Sequence, residues 1–86
     1  MMLTREHNPF KKFGPGYFIL EQLVIQNWSN EMLAKTMKLS EGEMDKLLNN
    51  EASVTEEIAQ KLGDAFNTSA GYWINIDKGY REWLLQ

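Results

Sequence analysis

Four hydroxyl side chains punctuate this chain, and each stands just before an apolar pattern of helical period: Ser29, Ser40, Thr55 and Ser69. A hydroxyl at the start of a helix accepts one of the backbone N–H groups that the first turn leaves without a partner. The segments between these residues are short, so each has room for one helix and a loop of a few residues. Strict apolar–polar alternation, the mark of a strand, competes nowhere. The chain is therefore restricted to a bundle of short helices.

The individual elements follow from the same signals. A first helix starts at Pro15, a residue suited to the first turn because its missing N–H would be unpaired there. Ile19, Leu20, Leu23 and Val24 give it an apolar face, and it ends near Asn27. Ser29 caps a second helix with Leu33, Ala34 and Met37 on one side; Ser40 caps a third with Met44, Leu47 and Leu48. Asn49-Asn50 can stop the third, since Asn tolerates left-handed backbone. Thr55 caps a fourth, with Glu56 and Glu57 where the helix dipole favours acids, and an apolar set of Ile58, Ala59, Leu62, Ala65 and Phe66. Ser69 caps a fifth, which carries Trp73, Ile76, Tyr80 and Trp83. Residues 1–13 show no period and read as a flexible arm bearing Arg5, Lys11 and Lys12; residues 14–86 form the domain.

Bulk chemistry removes several function classes. With no cysteine and a single histidine, His7, the chain lacks material for a thiolate metal site or a nucleophile–base pair, so neither an enzyme nor a cofactor is expected. No apolar run approaches the roughly 20 residues that span a bilayer, and a reducing cytoplasm is the natural setting. The net charge of −3 argues against a general nucleic-acid binder, although a local patch decides docking.

Between Met37 and the body of the third helix stand only Lys38, Leu39 and Ser40, and Ala34 is small enough to permit a close crossing. That link suits a helix-turn-helix, and on spacing alone any small helical bundle fits as well. The longer pattern resembles the HigA/VapI-type antitoxins, a branch of the Xre-like helix-turn-helix family. The branch's His-Pro-Gly-Glu entry to helix 1 is matched by Gly14-Pro15-Gly16-Tyr17, with His and Glu both replaced. Its Leu-Ser-Gln start of helix 2 corresponds to Trp28-Ser29-Asn30, and its Leu-Ala pair to Leu33-Ala34. The close of helix 3 is Leu48-Asn49-Asn50, and the start of helix 4 is Val54-Thr55-Glu56-Glu57. Most specific is the tail, where Thr68, Ser69, Trp73, Asn75 and Tyr80 fall in register.

The resemblance implies an all-α, five-helix, Xre/lambda-repressor-like domain with helices 2 and 3 as the DNA-binding pair. It further implies a cytoplasmic homodimer that neutralises a RelE/HigB-like ribonuclease toxin and represses its own operator. Carried over by register, the residues facing double-stranded DNA are Asn30, Glu41, Gly42, Asp45, Lys46 and Asn49; Lys35 and Lys38 join them as DNA-binding cations that offset the acids. This surface departs from the usual basic pattern. Residues 40–51 hold one lysine against Glu41, Glu43, Asp45 and Glu51. Such acids oppose the phosphate attraction that supplies most non-specific affinity. A carboxylate can nonetheless accept from cytosine N4, and the acids could instead form a solvated face or meet a small basic toxin protein. Lys46 could pair with Glu43 three residues back.

The aromatic tail adds a second expectation. Trp73 and Ile76 are expected inside, whereas Tyr80, Trp83 and Leu84 sit where little sequence remains to cover them. They are the expected dimer interface. Trp28 is expected as a cover on the core. The alternatives to an antitoxin are a mobile-element repressor and a protein-interaction module whose DNA binding is weak or lost.

Overall fold

The computed structural model describes residues 13–85, so the expected arm lies outside the described residues apart from Phe13. Five helices follow in order: α1 (Pro15–Gln26), α2 (Asn30–Met37), α3 (Glu41–Leu48), α4 (Glu56–Phe66) and α5 (Ala70–Leu84). Each expected hydroxyl caps its helix. Ser29 and Ser40 accept from the backbone N–H of Met32 and Glu43 at 3.1 Å, and Thr55 and Ser69 from Ile58 and Tyr72 at 3.2 Å. The helix ends are equally regular, with Asn27, Lys38, Asn50 and Asn67 all left-handed at φ near 60°. Three of the four are Asn, which bears that backbone with least strain after Gly.

The core lies between α4 and α5, which pack along each other, and α1 and α3, which form the opposite contact. Trp73 is fully buried at its centre and donates its indole N–H to Thr68 Oγ1 at 2.8 Å. That bond gives a physical reason for the Thr-Ser-x-x-x-Trp spacing of the tail. Phe66 packs against Trp73 on one side and against half-buried Trp28 on the other, with ring centroids 5.9 and 5.8 Å apart. Gly63 lets the α4–α5 corner close, because a Cβ there would lie 2.6 Å from the Thr68 carbonyl oxygen.

Helix α1 departs from expectation. Ile19 and Leu23 are buried, but Leu20 is 44% exposed and Val24 81% exposed. Apolar residues surround much of α1, and in a domain of this size only the stripe facing α3 and α5 is covered. Periodicity identifies an apolar helix without saying which stripe wins.

Two polar ties hold the helices in register. Gly14 has no side chain to cap α1, and the cap comes instead from Asn50, whose Oδ1 accepts from Gly16 N–H at 2.8 Å. The approach is so close that a Cβ on Gly16 would overlap the Leu48 carbonyl oxygen. On the other side, buried Asp77 accepts from Val54 N–H at 3.2 Å and from Arg81 Nε at 3.1 Å. Arg81 then donates to the Ala52 carbonyl at 2.9 Å, which ties the α3–α4 loop to α5.

The glycines separate packing from propensity. Gly16→Ala is expected to destabilise the domain by about 1–3 kcal/mol, as overpacked sites do, lowering Tm by about 4–8 °C per kcal/mol. Gly42→Ala, whose Cβ would meet nothing within 4 Å, is expected to raise stability by up to about 1 kcal/mol. Thermal unfolding followed by circular dichroism reads both.

Candidate nucleic-acid interface

Helices α2 and α3 are anchored from behind by Leu33 and Met37 on one and by Met44 and Leu47 on the other, all buried. Their outward faces are therefore set by the core. The turn between them is closed by Lys38, whose left-handed backbone lets Leu39 N–H reach back to the Ala34 carbonyl at 2.8 Å. At the far end, Ser40 and Glu43 form a reciprocal capping box, with Glu43 Oε1 accepting from Ser40 N–H at 2.8 Å.

All eight residues assigned to the DNA-facing surface are exposed: Asn30, Lys35, Lys38, Glu41, Gly42, Asp45, Lys46 and Asn49. A groove of about 450 Å³ runs between α2 and α3 and brings four of them together, Asn30 and Lys35 on one wall and Glu41 and Asp45 on the other. Ala34, Leu39 and Met44 also line it. Glu31 joins the same groove and was not singled out from the sequence, where it reads only as a first-turn acid. Lys46 lines a separate, smaller groove with Leu39, Glu43 and Ser53, while Lys38, Gly42 and Asn49 line neither.

The pairing of Lys46 with Glu43 does not form. Glu43 is occupied by the cap, and the ion pairs among the described residues are Glu57–Lys61 at 3.5 Å and Asp77–Arg81 at 3.1 Å. Lys35, Lys38 and Lys46 thus make no ion pair with the described residues. The Glu43 carboxyl is held below its ordinary value of 4.5 by the Ser40 backbone N–H, then by the Ser40 hydroxyl, with a smaller contribution from Lys61.

At the opposite end, Tyr80 and Trp83 are half-buried and stack on each other at 6.2 Å, with the Arg81 guanidinium 5.5 Å from the Tyr80 ring. They cover one another more than the sequence suggested. Leu84 is half exposed and Leu85 86% exposed. A second apolar groove of about 470 Å³ lies between the start of α1 and α5, lined by Phe13, Phe18, Tyr72, Ile76, Gly79 and Tyr80.

These features define a helix-turn-helix domain with α2 and α3 as the motif and α5 as an aromatic closing helix. The architecture is that of the HigA-type antitoxins of the Xre-like class, as the sequence resemblance implied. The chain is 25% identical to an addiction-module antidote protein of the HigA family from Coxiella burnetii, covering 87% of this chain and 83% of that one with a TM-score of 0.80. It is also 25% identical to a Pseudomonas aeruginosa protein solved in complex with its 18-base-pair operator DNA, covering 87% and 82% at a TM-score of 0.80. The Pseudomonas aeruginosa antitoxin HigA, solved with the higBA promoter, is 26% identical over 83% of this chain and 78% of its own, at a TM-score of 0.76. No family model matches the sequence, and no curated protein matches it.

The capping box makes the third helix sensitive to acid. Because the folded-state value of Glu43 is lowered, its contribution is full above the ordinary 4.5 and is lost as pH falls through the lowered value. Glu43→Gln is therefore expected to lower Tm at neutral pH, with the gap from the native protein shrinking as pH drops below 4.5. Melting curves of both proteins across that range check it.

Proposed function

We propose that this protein is an antitoxin-type transcriptional regulator, which binds its own operator as a dimer through α2 and α3 and neutralises a small basic ribonuclease toxin of the RelE/HigB kind. The observation that carries the reading is the match, over more than four-fifths of the chain, to proteins solved on operator and promoter DNA. The groove between α2 and α3 is consistent with it, since Asn30 and Lys35 meet there with no ion pair to the described residues to satisfy the lysine.

Affinity on this reading comes from few phosphate contacts. Lys35, Lys38 and Lys46 supply the cations, and Glu41 and Asp45 subtract from the general attraction to the duplex. Contacts to three or four phosphates give a slope of about −3 in a log–log plot of affinity against salt. Fluorescence anisotropy of the gene's own upstream duplex between about 50 and 200 mM salt is expected to show saturable binding with that slope. Lys38→Gly removes one cation at a left-handed position that glycine fits, so the slope is expected to fall by about 1 while the fold is kept. Absence of saturable binding at low salt by the folded protein would overturn DNA recognition.

The dimer is assigned to the α5 end, where exposed Leu84 and the groove beside Tyr80 leave apolar surface open to water. Sedimentation at micromolar concentration is expected to give twice the chain mass, shifting to one chain in a Trp83→Ala, Leu84→Ala double variant. A single-chain mass for the native protein would contradict this interface.

The antitoxin-like fold and the acidic surface support the reading of a toxin partner. Complementary charge speeds association with a basic protein and favours the right partner. A small basic reading frame beside this gene, whose product co-purifies with this protein, is the expected finding. A second reading, a protein-interaction module without DNA binding, is favoured by the acids Glu31, Glu41 and Asp45 in the α2–α3 groove. Toxin binding without operator binding would establish that reading instead.

A further inference from the structure

We propose that Glu41 and Asp45 are cytosine readers, which make the acidic α3 a filter for operator half-sites presenting cytosine amino groups at nearby positions. The inference rests on the operator-binding reading above and deepens it.

Burial of Met44 and Leu47 turns α3 so that Glu41 and Asp45 share its outward face, one turn apart. One helical turn rises about 5.4 Å, which spans between one and two base-pair steps of about 3.4 Å. The two carboxylates can thus address neighbouring or next-neighbouring bases. Both line the α2–α3 groove, and neither forms an ion pair with the described residues. Glu43, the third acid of the helix, has its Oε1 engaged in the capping box and lines the other groove.

Gly42 stands between the two acids on the same exposed stretch of α3. A Cβ at Gly14, Gly16 or Gly63 would collide with the chain itself, whereas one at Gly42, as at Gly71 and Gly79, would meet nothing within 4 Å. Nothing within the described chain requires glycine there, although it weakens the helix. A helix backbone bare of its side chain permits close approach by an external surface, and the floor of a major groove is such a surface.

The chemistry then selects the base. An ionised carboxylate only accepts hydrogen bonds. In the major groove guanine offers the acceptors O6 and N7, thymine the acceptor O4, and adenine an N6 amine beside the N7 acceptor. Cytosine alone presents a donor, its N4 amine, with no acceptor on the same base edge. Two carboxylates therefore repel most base edges and the phosphates around them, and they tolerate cytosine. The acidity that weakens general affinity becomes the source of discrimination.

The test is selection from duplexes with a randomised core, carried out with the native protein, Glu41→Gln and Asp45→Asn, and followed by anisotropy on the recovered sites. Glutamine and asparagine pair with adenine N6 and N7, so each variant is expected to move the preference at one position from cytosine to adenine. Replacing a selected C·G pair by T·A is expected to weaken native binding roughly 5- to 150-fold and to affect the matching variant much less. Both variants are also expected to bind unselected duplex more tightly than the native protein. A recovered motif without cytosine preference, or with the same preference in both folded variants, would overturn the proposal while leaving operator binding intact. Failure of all three proteins to enrich any duplex would overturn operator binding itself, and this inference with it.

Discussion

One side chain sets the relation between the first and third helices. Asn50 adopts the left-handed backbone at the end of α3, and its amide oxygen accepts from Gly16 N–H to cap α1. The same residue therefore ends one helix and begins another. The contact leaves no space for a Cβ at Gly16, so the start of α1 meets the end of α3 backbone to backbone. A backbone contact of this kind fixes distance more tightly than one between flexible side chains. It orients α3, and with it the outward face that carries Glu41 and Asp45.

Orientation and charge make different statements about α3. The buried Met44 and Leu47 give it the placement of a recognition helix, while Glu41 and Asp45 give it a sign that phosphate repels. The two are reconciled if affinity and specificity come from different residues. On the proposed reading, lysines at the motif's edges and Asn30 attract the backbone, and the acids discriminate among base edges. On that reading the cost falls on general affinity, which recognition of a single operator does not need.

Much of the fold was legible because its signals are local. Ser29, Ser40, Thr55 and Ser69 act within three residues of their own positions, so sequence spacing alone located the helix starts. The Thr68–Trp73 bond spans only five residues and is likewise local. Ties between distant segments were not. Asn50 was readable as a helix end, but its partner Gly16 stands 34 residues away. Asp77 is paired with Arg81 at a legible helical spacing, yet its bond to Val54 spans 23 residues. The misplacement of Leu20 and Val24 has the same origin, since only the packed structure decides which stripe of an apolar helix is covered. Within the candidate interface, the expected surface residues are all exposed. The groove that groups Asn30, Lys35, Glu41 and Asp45, and adds Glu31, depends on how α2 crosses α3.

Amide chemical-shift mapping during titration with the gene's upstream duplex tests the central claim most directly. The account predicts that the changes concentrate at Asn30, at Lys35 and Lys38, and along α3 from Glu41 to Lys46, while the outward face of α1 around Val24 stays unmoved. Changes centred on α1 or α5, or none at a salt concentration where the protein is folded, would contradict it.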